Sequence, residues 1–289
     1  MKNSTSPALS TTVPPSLTDA IRNHYDHLSE AYEKFWGRHF HHGYWESDET
    51  LPQAQVRLVE KLAEHSPIPY GSRVLDVGCG IGGASIWLAH NLGCSVSGIT
   101  LSHRQVLRAR DLAREENLHG LLDFDVQDAA QLDSSFSESQ FDVVWVVECS
   151  EHLADKSGFI RSCARLLKPG GTLAMASWTA VNGGLAGQQQ ILEDLSRAML
   201  CPSFGTSEDY LDWIRAAGLR RIEMVDVTPF VERTWDEAIE RIQTFEPRMA
   251  PWVADKTVQR FLEGFPLMRQ AYAEGALGYS FFTGSRGYA

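Results

Sequence analysis

No run of apolar residues in this chain approaches the ~20 that a membrane-spanning helix needs, so no membrane partner is expected. Positive charge is also scarce. Lys and Arg number 26 against 37 Asp and Glu, a formal net charge of −11, which is the wrong sign for a protein built to hold nucleic acid. There is no Cys-x-x-Cys pair. The five cysteines (Cys79, Cys94, Cys149, Cys163 and Cys201) are odd in number and scattered, which disfavours a disulfide frame or a zinc site. Reduced, mostly buried thiols and a cytoplasmic location are the expectation. The first fifteen residues are rich in Ser, Thr and Pro and carry one Lys. They lack the apolar core of a secretory signal and the arginines of a transit peptide, so residues 1–16 read as a disordered tail.

What is present is ordinary globular composition, 43% hydrophobic and 22% charged over 289 residues, enough to bury one large core. Residues 17–36 carry Ile21, Tyr25, Leu28, Tyr32 and Phe35 near helical spacing behind a Ser16 cap. After an aromatic, His-rich loop, a second helix is expected over 51–64, ending before Pro67 and Pro69. Residues 17–66 thus form a helical cover.

From residue 67 to 180 short apolar runs alternate with amphipathic segments. Strands are expected at 73–77, 95–99, 122–126, 141–147 and 172–178, with helices at 82–92, 103–117 and 156–167 between them. Residues 181–289 add helices at 188–200, 207–218, 234–245 and 253–273, and strands at 220–227 and 278–283. The alternation predicts an α/β fold with a doubly wound, mostly parallel seven-stranded sheet and a helical cover.

The sharpest motif is Asp76-Val77-Gly78-Cys79-Gly80-Ile81-Gly82-Gly83, placed where a strand turns into a helix. Ligands of doubly wound sheets bind at such strand ends. Gly78, Gly80 and Gly83 also satisfy the dinucleotide pattern, so the glycines alone leave a nicotinamide-dependent oxidoreductase open. Asp76 favours S-adenosylmethionine, because a carboxylate suits an ammonium and a sulfonium and is awkward beside a pyrophosphate. The position of the motif after two helices, and the Lys168-Pro169-Gly170-Gly171 turn, point the same way.

Residues from about 40 to 180 resemble the class I methyltransferases, specifically their γ-tocopherol methyltransferase-like branch. The likeness rests on His41-His42-Gly43-Tyr44-Trp45, the Asp76–Gly83 turn, Gly98-Ile99-Thr100-Leu101-Ser102, Phe141-Asp142-Val143-Val144-Trp145, Glu148-Cys149-Ser150-Glu151-His152 and Pro169-Gly170-Gly171. It implies that Gly78, Gly80 and Gly82 pass beside the methionine part of S-adenosylmethionine, with Asp76 orienting them or the amino group. It implies that Asp128 and Ala129 hold the adenine, and that Glu148 faces the cofactor cleft or the substrate. Most class I enzymes end the second strand with an acid for the ribose. Here that place is Thr100, so ribose recognition falls to Thr100 and Gln105.

Methyl transfer from a sulfonium is a displacement whose main demand is alignment. A base is needed only where the nucleophile loses a proton in the step. The candidates are His152, Glu151 and His42, with His41 beside it. Tyr44 and Trp45 are read either as a lid offering ring faces to the sulfonium or as core aromatics. His41 and His42 have no third ligand at helical spacing, so no metal is expected. Trp235, Phe245, Trp252, Phe261, Phe265 and Tyr272 furnish helix cores or an apolar pocket. The leading expectation is an S-adenosylmethionine-dependent methyltransferase acting on a small, apolar or aromatic substrate at nitrogen, oxygen or carbon, in secondary metabolism. The rivals are the oxidoreductase and a methyltransferase-like protein that binds the cofactor without methyl transfer. The oligomeric state is left open.

Overall fold

A computed structural model of the protein describes residues 16–182, 186–253 and 256–288. The tail expected at 1–16 therefore lies, apart from Ser16, outside the described residues, as do Gly183 and Gly184.

Two helices come first, α1 (Leu17–Phe35) and α2 (Leu51–Glu64). Ser16 caps α1 by accepting the Asp19 N–H, and a Thr50–Gln53 capping box starts α2. The core then alternates: β1 (Arg73–Val77), α3 (Gly83–Leu92), β2 (Ser95–Thr100), α4 (His103–Glu115), β3 (Leu122–Val126), the short α5 (Leu132–Ser135), β4 (Phe141–Val147), α6 (Lys156–Leu166) and β5 (Leu167–Ala180). There follow α7 (Ala186–Ala198), α8 (Ser207–Ala216), β6 (Leu219–Asp226), the short α9 (Thr228–Val231), α10 (Arg233–Val253), α11 (Lys256–Ala273) and β7 (Leu277–Arg286).

The seven strands form one sheet in the order β3-β2-β1-β4-β5-β7-β6, parallel except for β7, which runs antiparallel to both neighbours. The doubly wound, mostly parallel sheet is as the alternation predicts. Most ends agree within three residues. Two differ more. The helix expected over 234–245 runs on to Val253, and β5 starts at Leu167, absorbing the Lys168–Gly171 turn. That turn is a bulge, because the register jumps from Phe141 opposite Leu167 to Val143 opposite Thr172.

Strand periodicity splits the core into two layers. Val143, Trp145 and Val147 face α1, α2, α4 and the C-terminal helices, while Val144 and Val146 face α6 and α8. A strand buried on both faces must be apolar throughout, and Phe141–Val147 is so at every position but Asp142. Among the described residues no helix is long and apolar enough to cross a membrane.

The topological reversal falls between β1 and β4, whose neighbours lie on opposite sides. Their carboxyl ends open a crevice between the Asp76–Gly83 turn and Glu148–His152. Helix α1 closes it from above, tied to α4 where Asp26 accepts from Ser102 Oγ at 2.6 Å and where Glu33 pairs with Arg108 at 2.6 Å.

Candidate active site

The crevice encloses a cavity of about 620 Å³, inside the usual size range for small-molecule sites. Asp76, Gly78, Gly80, Thr100, Gln105, Asp128, Ala129, Glu148 and His152 all border it, gathered from four strand ends. Its wall carries Asp76, Asp128, Asp133, Glu148 and Asp155 against Arg38 and Arg161, a balance that suits a cationic ligand better than a pyrophosphate.

Asp76 is 2% exposed and accepts one hydrogen bond, from Ser85 Oγ at 2.6 Å. Burial pushes its carboxyl up to about 6, against the smaller opposing effect of Ser85. Gly78 adopts φ +80°, and a Cβ there would lie 2.7 Å from that of Cys149. The turn therefore needs glycine both for its left-handed backbone and for its closeness to the end of β4. Gly78→Ala combines a left-handed penalty of ~1–2 kcal/mol with overpacking of ~1–3 kcal/mol. The expected outcome is a fall in melting temperature of several degrees together with lost cofactor affinity, read by thermal unfolding and calorimetry. Gly82 does not border the cavity: a Cβ there would meet the Phe124 ring at 2.8 Å. Its place is against β3, which corrects the expectation of a contact with the methionine part.

Thr100 donates to Gln105 Oε1 at 2.6 Å, and both are buried on the cavity wall. Gln105 also supplies the backbone N–H that caps on Ser102, so it serves helix start and wall together. Asp128 caps a one-turn helix, Ala129–Gln131, through the Ala130 N–H at 2.9 Å. Beside it Gln127 borders the same wall, and its buried Oε1 has no described hydrogen-bond partner. An unmatched acceptor there calls for a donor from a ligand.

Glu148 ends β4 at φ +48°, a conformation rare outside glycine, and this turns its side chain inward. Its Oε1 accepts from the His42 backbone N–H at 2.7 Å, His42 Nδ1 at 2.9 Å and the Tyr279 hydroxyl at 2.9 Å. Burial alone would raise this carboxyl, but the interaction with His42, through its ring and its backbone N–H, outweighs it and holds Glu148 below the usual range.

His42 is locked. The Trp235 indole N–H can only donate, so His42 Nε2, 2.7 Å away, accepts, and Nδ1–H is turned to Glu148. With both nitrogens engaged and 1% exposure, His42 is a clamp on Glu148. That corrects the expectation of a free base. Neighbouring His41 is fixed between His39 and the His42 carbonyl. Among the described residues no group of three or more His, Cys, Asp or Glu is placed to hold a metal ion.

His152 has different freedom. Its Nδ1 donates to the Leu200 carbonyl at 3.1 Å, leaving Nε2 as acceptor for the Tyr25 hydroxyl at 3.1 Å. Burial lowers its pKa from the ordinary value, so the ring is neutral at physiological pH. Tyr25 is the residue that sequence reasoning missed as a site group. It lies 127 residues away and shows in the sequence only as one apolar-face position of α1.

Behind the main cavity lies a chamber of about 50 Å³. Tyr25, Phe40, His41, Glu148 and His152 border both spaces, and Glu151, His42, Trp178, Trp235 and Phe261 line only the inner one. Glu151 is 1% exposed, and burial together with the nearby Glu148 pushes its carboxyl up to about 8. At neutral pH it keeps its proton, which replaces the expected base with a hydrogen-bond donor.

Tyr44 and Trp45 border neither space. Tyr44 stacks on Phe230 at 4.6 Å, and Trp45 Nε1 donates to Thr234 Oγ1 at 3.0 Å under the Arg233 guanidinium. The reading as a lid is thereby corrected: the backbone N–H of Trp45 bonds the Phe230 carbonyl, which carries the pair toward α9. Thr234 also accepts the Gly43 N–H at 3.0 Å. Thr234→Val would strand two buried donors at ~1–3 kcal/mol each. Thermal unfolding should show that loss while calorimetry shows unchanged cofactor affinity. Of the C-terminal aromatics, Phe265 and Tyr272 are buried in the core. The side chains of Phe245 and Trp252 lie outside the described residues.

Residues 75–175 match the family described as "Methyltransferase domain". The chain is 30% identical over 295 residues to chloroplastic tocopherol O-methyltransferase of Arabidopsis thaliana, covering 96% of this chain and 84% of that protein. It is 31% identical over 262 residues to 27-O-demethylrifamycin SV methyltransferase of Amycolatopsis mediterranei, covering 90% and 94%. The solved structure of the [4+2]-cyclase SpnF matches with a TM-score of 0.78 and 25% identity, over 96% of this chain and 98% of that one. Fold, site and relatives together define a class I S-adenosylmethionine-dependent methyltransferase. Within that class the chain belongs to the tocopherol methyltransferase-like branch. The oxidoreductase reading of the glycine turn is not favoured by any of these relatives.

Proposed function

We propose that this enzyme methylates an apolar or aromatic small molecule, at a position where the nucleophile gives up its proton through Tyr25 to His152. The observation that carries the reading is the pair itself: a neutral imidazole with an available lone pair, 3.1 Å from a hydroxyl that borders both the cofactor cavity and the inner chamber.

The acidic wall, the bare backbone at Gly78 and Gly80 and the unmatched Gln127 acceptor fit S-adenosylmethionine. When bound, S-adenosylmethionine supplies an activated methyl group on a sulfonium. Asp76 would hold the amino group, Thr100 and Gln105 the ribose, and Gln127, Asp128 and Ala129 the adenine. Glu148, clamped by His42 and Tyr279, fixes the wall between the two spaces. The chamber rings of Tyr25, Phe40, Trp178 and Phe261 exclude water and favour an apolar or aromatic head. In this reading residues 17–66 and the helices after residue 181 form a cover over the 67–180 core.

The two similar proteins are named for methyl transfer to tocopherol at oxygen and to 27-O-demethylrifamycin SV, which supports oxygen as the acceptor and a role in secondary metabolism. A cytoplasmic location rests on the five free thiols. The Arabidopsis relative is chloroplastic.

The test is incubation with methyl-labelled S-adenosylmethionine and a panel of phenols, hydroquinones and hydroxylated polyketides. Label transferred to an oxygen-bearing member supports the reading. Binding of S-adenosylmethionine with conversion of substrates but no label transfer would favour instead a rearrangement catalyst like the [4+2]-cyclase of similar fold.

A further inference from the structure

Two residues on the wall of the inner chamber, Trp178 and Glu151, each carry a buried polar atom without a described partner. Trp178 Nε1 carries an N–H with nothing to accept it, and Glu151 Oε2 is left over after Oε1 takes the Trp178 backbone N–H at 2.8 Å. Trp178 is 6% exposed and Glu151 1%. Two unsatisfied groups on residues that line one pocket are costly unless a ligand completes them, since each buried orphan costs about a hydrogen bond's desolvation.

The chemistry of the pair selects its ligand. An indole N–H only donates. Glu151 lies beside Glu148 in a nearly dry site and keeps its proton at neutral pH, so it donates as well. Two donors on one chamber wall match an oxygen acceptor and disfavour an ammonium, which has no lone pair to offer. The chamber's 50 Å³ has room for a few heavy atoms, where one water needs ~10–15 Å³ of such space. Only the tip of a substrate enters, and the ring or chain behind it lies against Tyr25 and Phe40 at the opening.

We infer that Trp178 and Glu151 form a recognition subsite for a neutral hydroxyl or carbonyl oxygen of the substrate, and that this subsite selects oxygenated substrates over their deoxygenated analogues. Neither group takes the reacting proton. Both are positioning residues that set how deep the substrate sits and so which atom faces the cofactor cavity. The inference rests on the proposed methyl-transfer reading of the same site, and it predicts a discrimination that reading alone does not.

The experiment is calorimetric titration of the S-adenosylhomocysteine-loaded protein with phenol, toluene and benzylamine, in wild type, Trp178→Phe, Glu151→Gln and Glu151→Leu. Wild type should bind phenol at least tenfold more tightly than toluene and should not favour benzylamine. Trp178→Phe keeps an aromatic ring and Glu151→Leu keeps the bulk, yet each should shrink the phenol preference severalfold. Glu151→Gln, whose amide still donates, should retain most of it. Melting temperature and S-adenosylhomocysteine affinity, measured on the same samples, show that each variant is folded. Equal binding of phenol and toluene in wild type, a preference for benzylamine, or a phenol preference that survives all three variants overturns the inference. Failure of S-adenosylhomocysteine itself to bind would instead strike the proposed function.

Discussion

Asp76→Asn should weaken S-adenosylmethionine binding by about 10–100-fold while making the ligand-free protein more stable at pH 7.5. The first effect follows from losing a charge-assisted contact worth ~1.5–3 kcal/mol, with each 1.4 kcal/mol a factor of ten. The second follows from linkage. The folded protein holds the Asp76 proton more tightly than the unfolded chain does, with its pKa at about 6 where an exposed Asp lies near ~3.9. Between those values the folded state binds more protons, so this group's contribution to stability falls as pH rises from about 4 to about 6. At pH 7.5 the penalty is fully present, on the order of 3 kcal/mol, and a neutral isostere that still accepts from Ser85 avoids it. Thermal unfolding of ligand-free protein should show the variant melting higher at pH 7.5 and the gap closing near pH 4. A variant that melts lower at pH 7.5 would mean that Asp76 stabilises the turn rather than waiting for a cation. The buried carboxylate is thus an unfavourable charge kept for binding, as expected where function and stability conflict.

The second large effect concerns His152. Positioned acid–base groups contribute ~10²–10⁴-fold to rate, so His152→Gln should lower kcat within that range while S-adenosylmethionine affinity stays within about twofold. Tyr25→Phe, which cuts the link between substrate and imidazole, should produce a loss of the same order. Because burial holds the His152 pKa below the ordinary histidine value, the imidazole takes up its proton at a lower pH than a free histidine does. The wild-type acid limb therefore falls below the ordinary histidine value, and it should disappear from the residual activity of His152→Gln. Steady-state kinetics across pH checks both points. Unchanged kcat in His152→Gln would mean that the nucleophile arrives already deprotonated and that alignment alone suffices.

How much of this was legible in the sequence depends on how local each signal is. Strand β4 announces itself because a strand buried on both faces must be apolar at nearly every position. The Asp76–Gly83 turn is legible because a single stretch carries both the backbone requirement and residues that border the cavity. The same is true of Thr100 and Gln105, five residues apart on one strand-to-helix turn.

Illegible features depend on contacts between distant segments. Nothing near His42 reveals that Trp235 and Tyr272, from α10 and α11, would occupy its Nε2. The aromatic loop, rich in rings, reads equally as a lid or as core aromatics. Its Tyr44 and Trp45 in fact turn toward Phe230 and Thr234, more than 180 positions away in sequence, and border neither space. Tyr25 is indistinguishable by spacing from Leu28 or Tyr32 on the same helix face. The ties of α1 to α4, Asp26 with Ser102 and Glu33 with Arg108, hold that face over the crevice and Tyr25 against His152. The proton of Glu151 is likewise a product of packing: in the sequence Glu151 reads as a candidate base in the Glu148–His152 run, and only burial beside Glu148 neutralises it.

The measurement that bears most directly on the cofactor site is calorimetric titration of the purified protein with S-adenosylmethionine, S-adenosylhomocysteine and NADH, in wild type and Asp76→Asn. The expected result is micromolar binding of the first two to wild type, marked weakening of S-adenosylmethionine in the variant, and no binding of NADH to either. Binding of NADH, or S-adenosylmethionine affinity indifferent to the Asp76 charge, would contradict the placement of the cofactor at the Asp76–Gly83 turn.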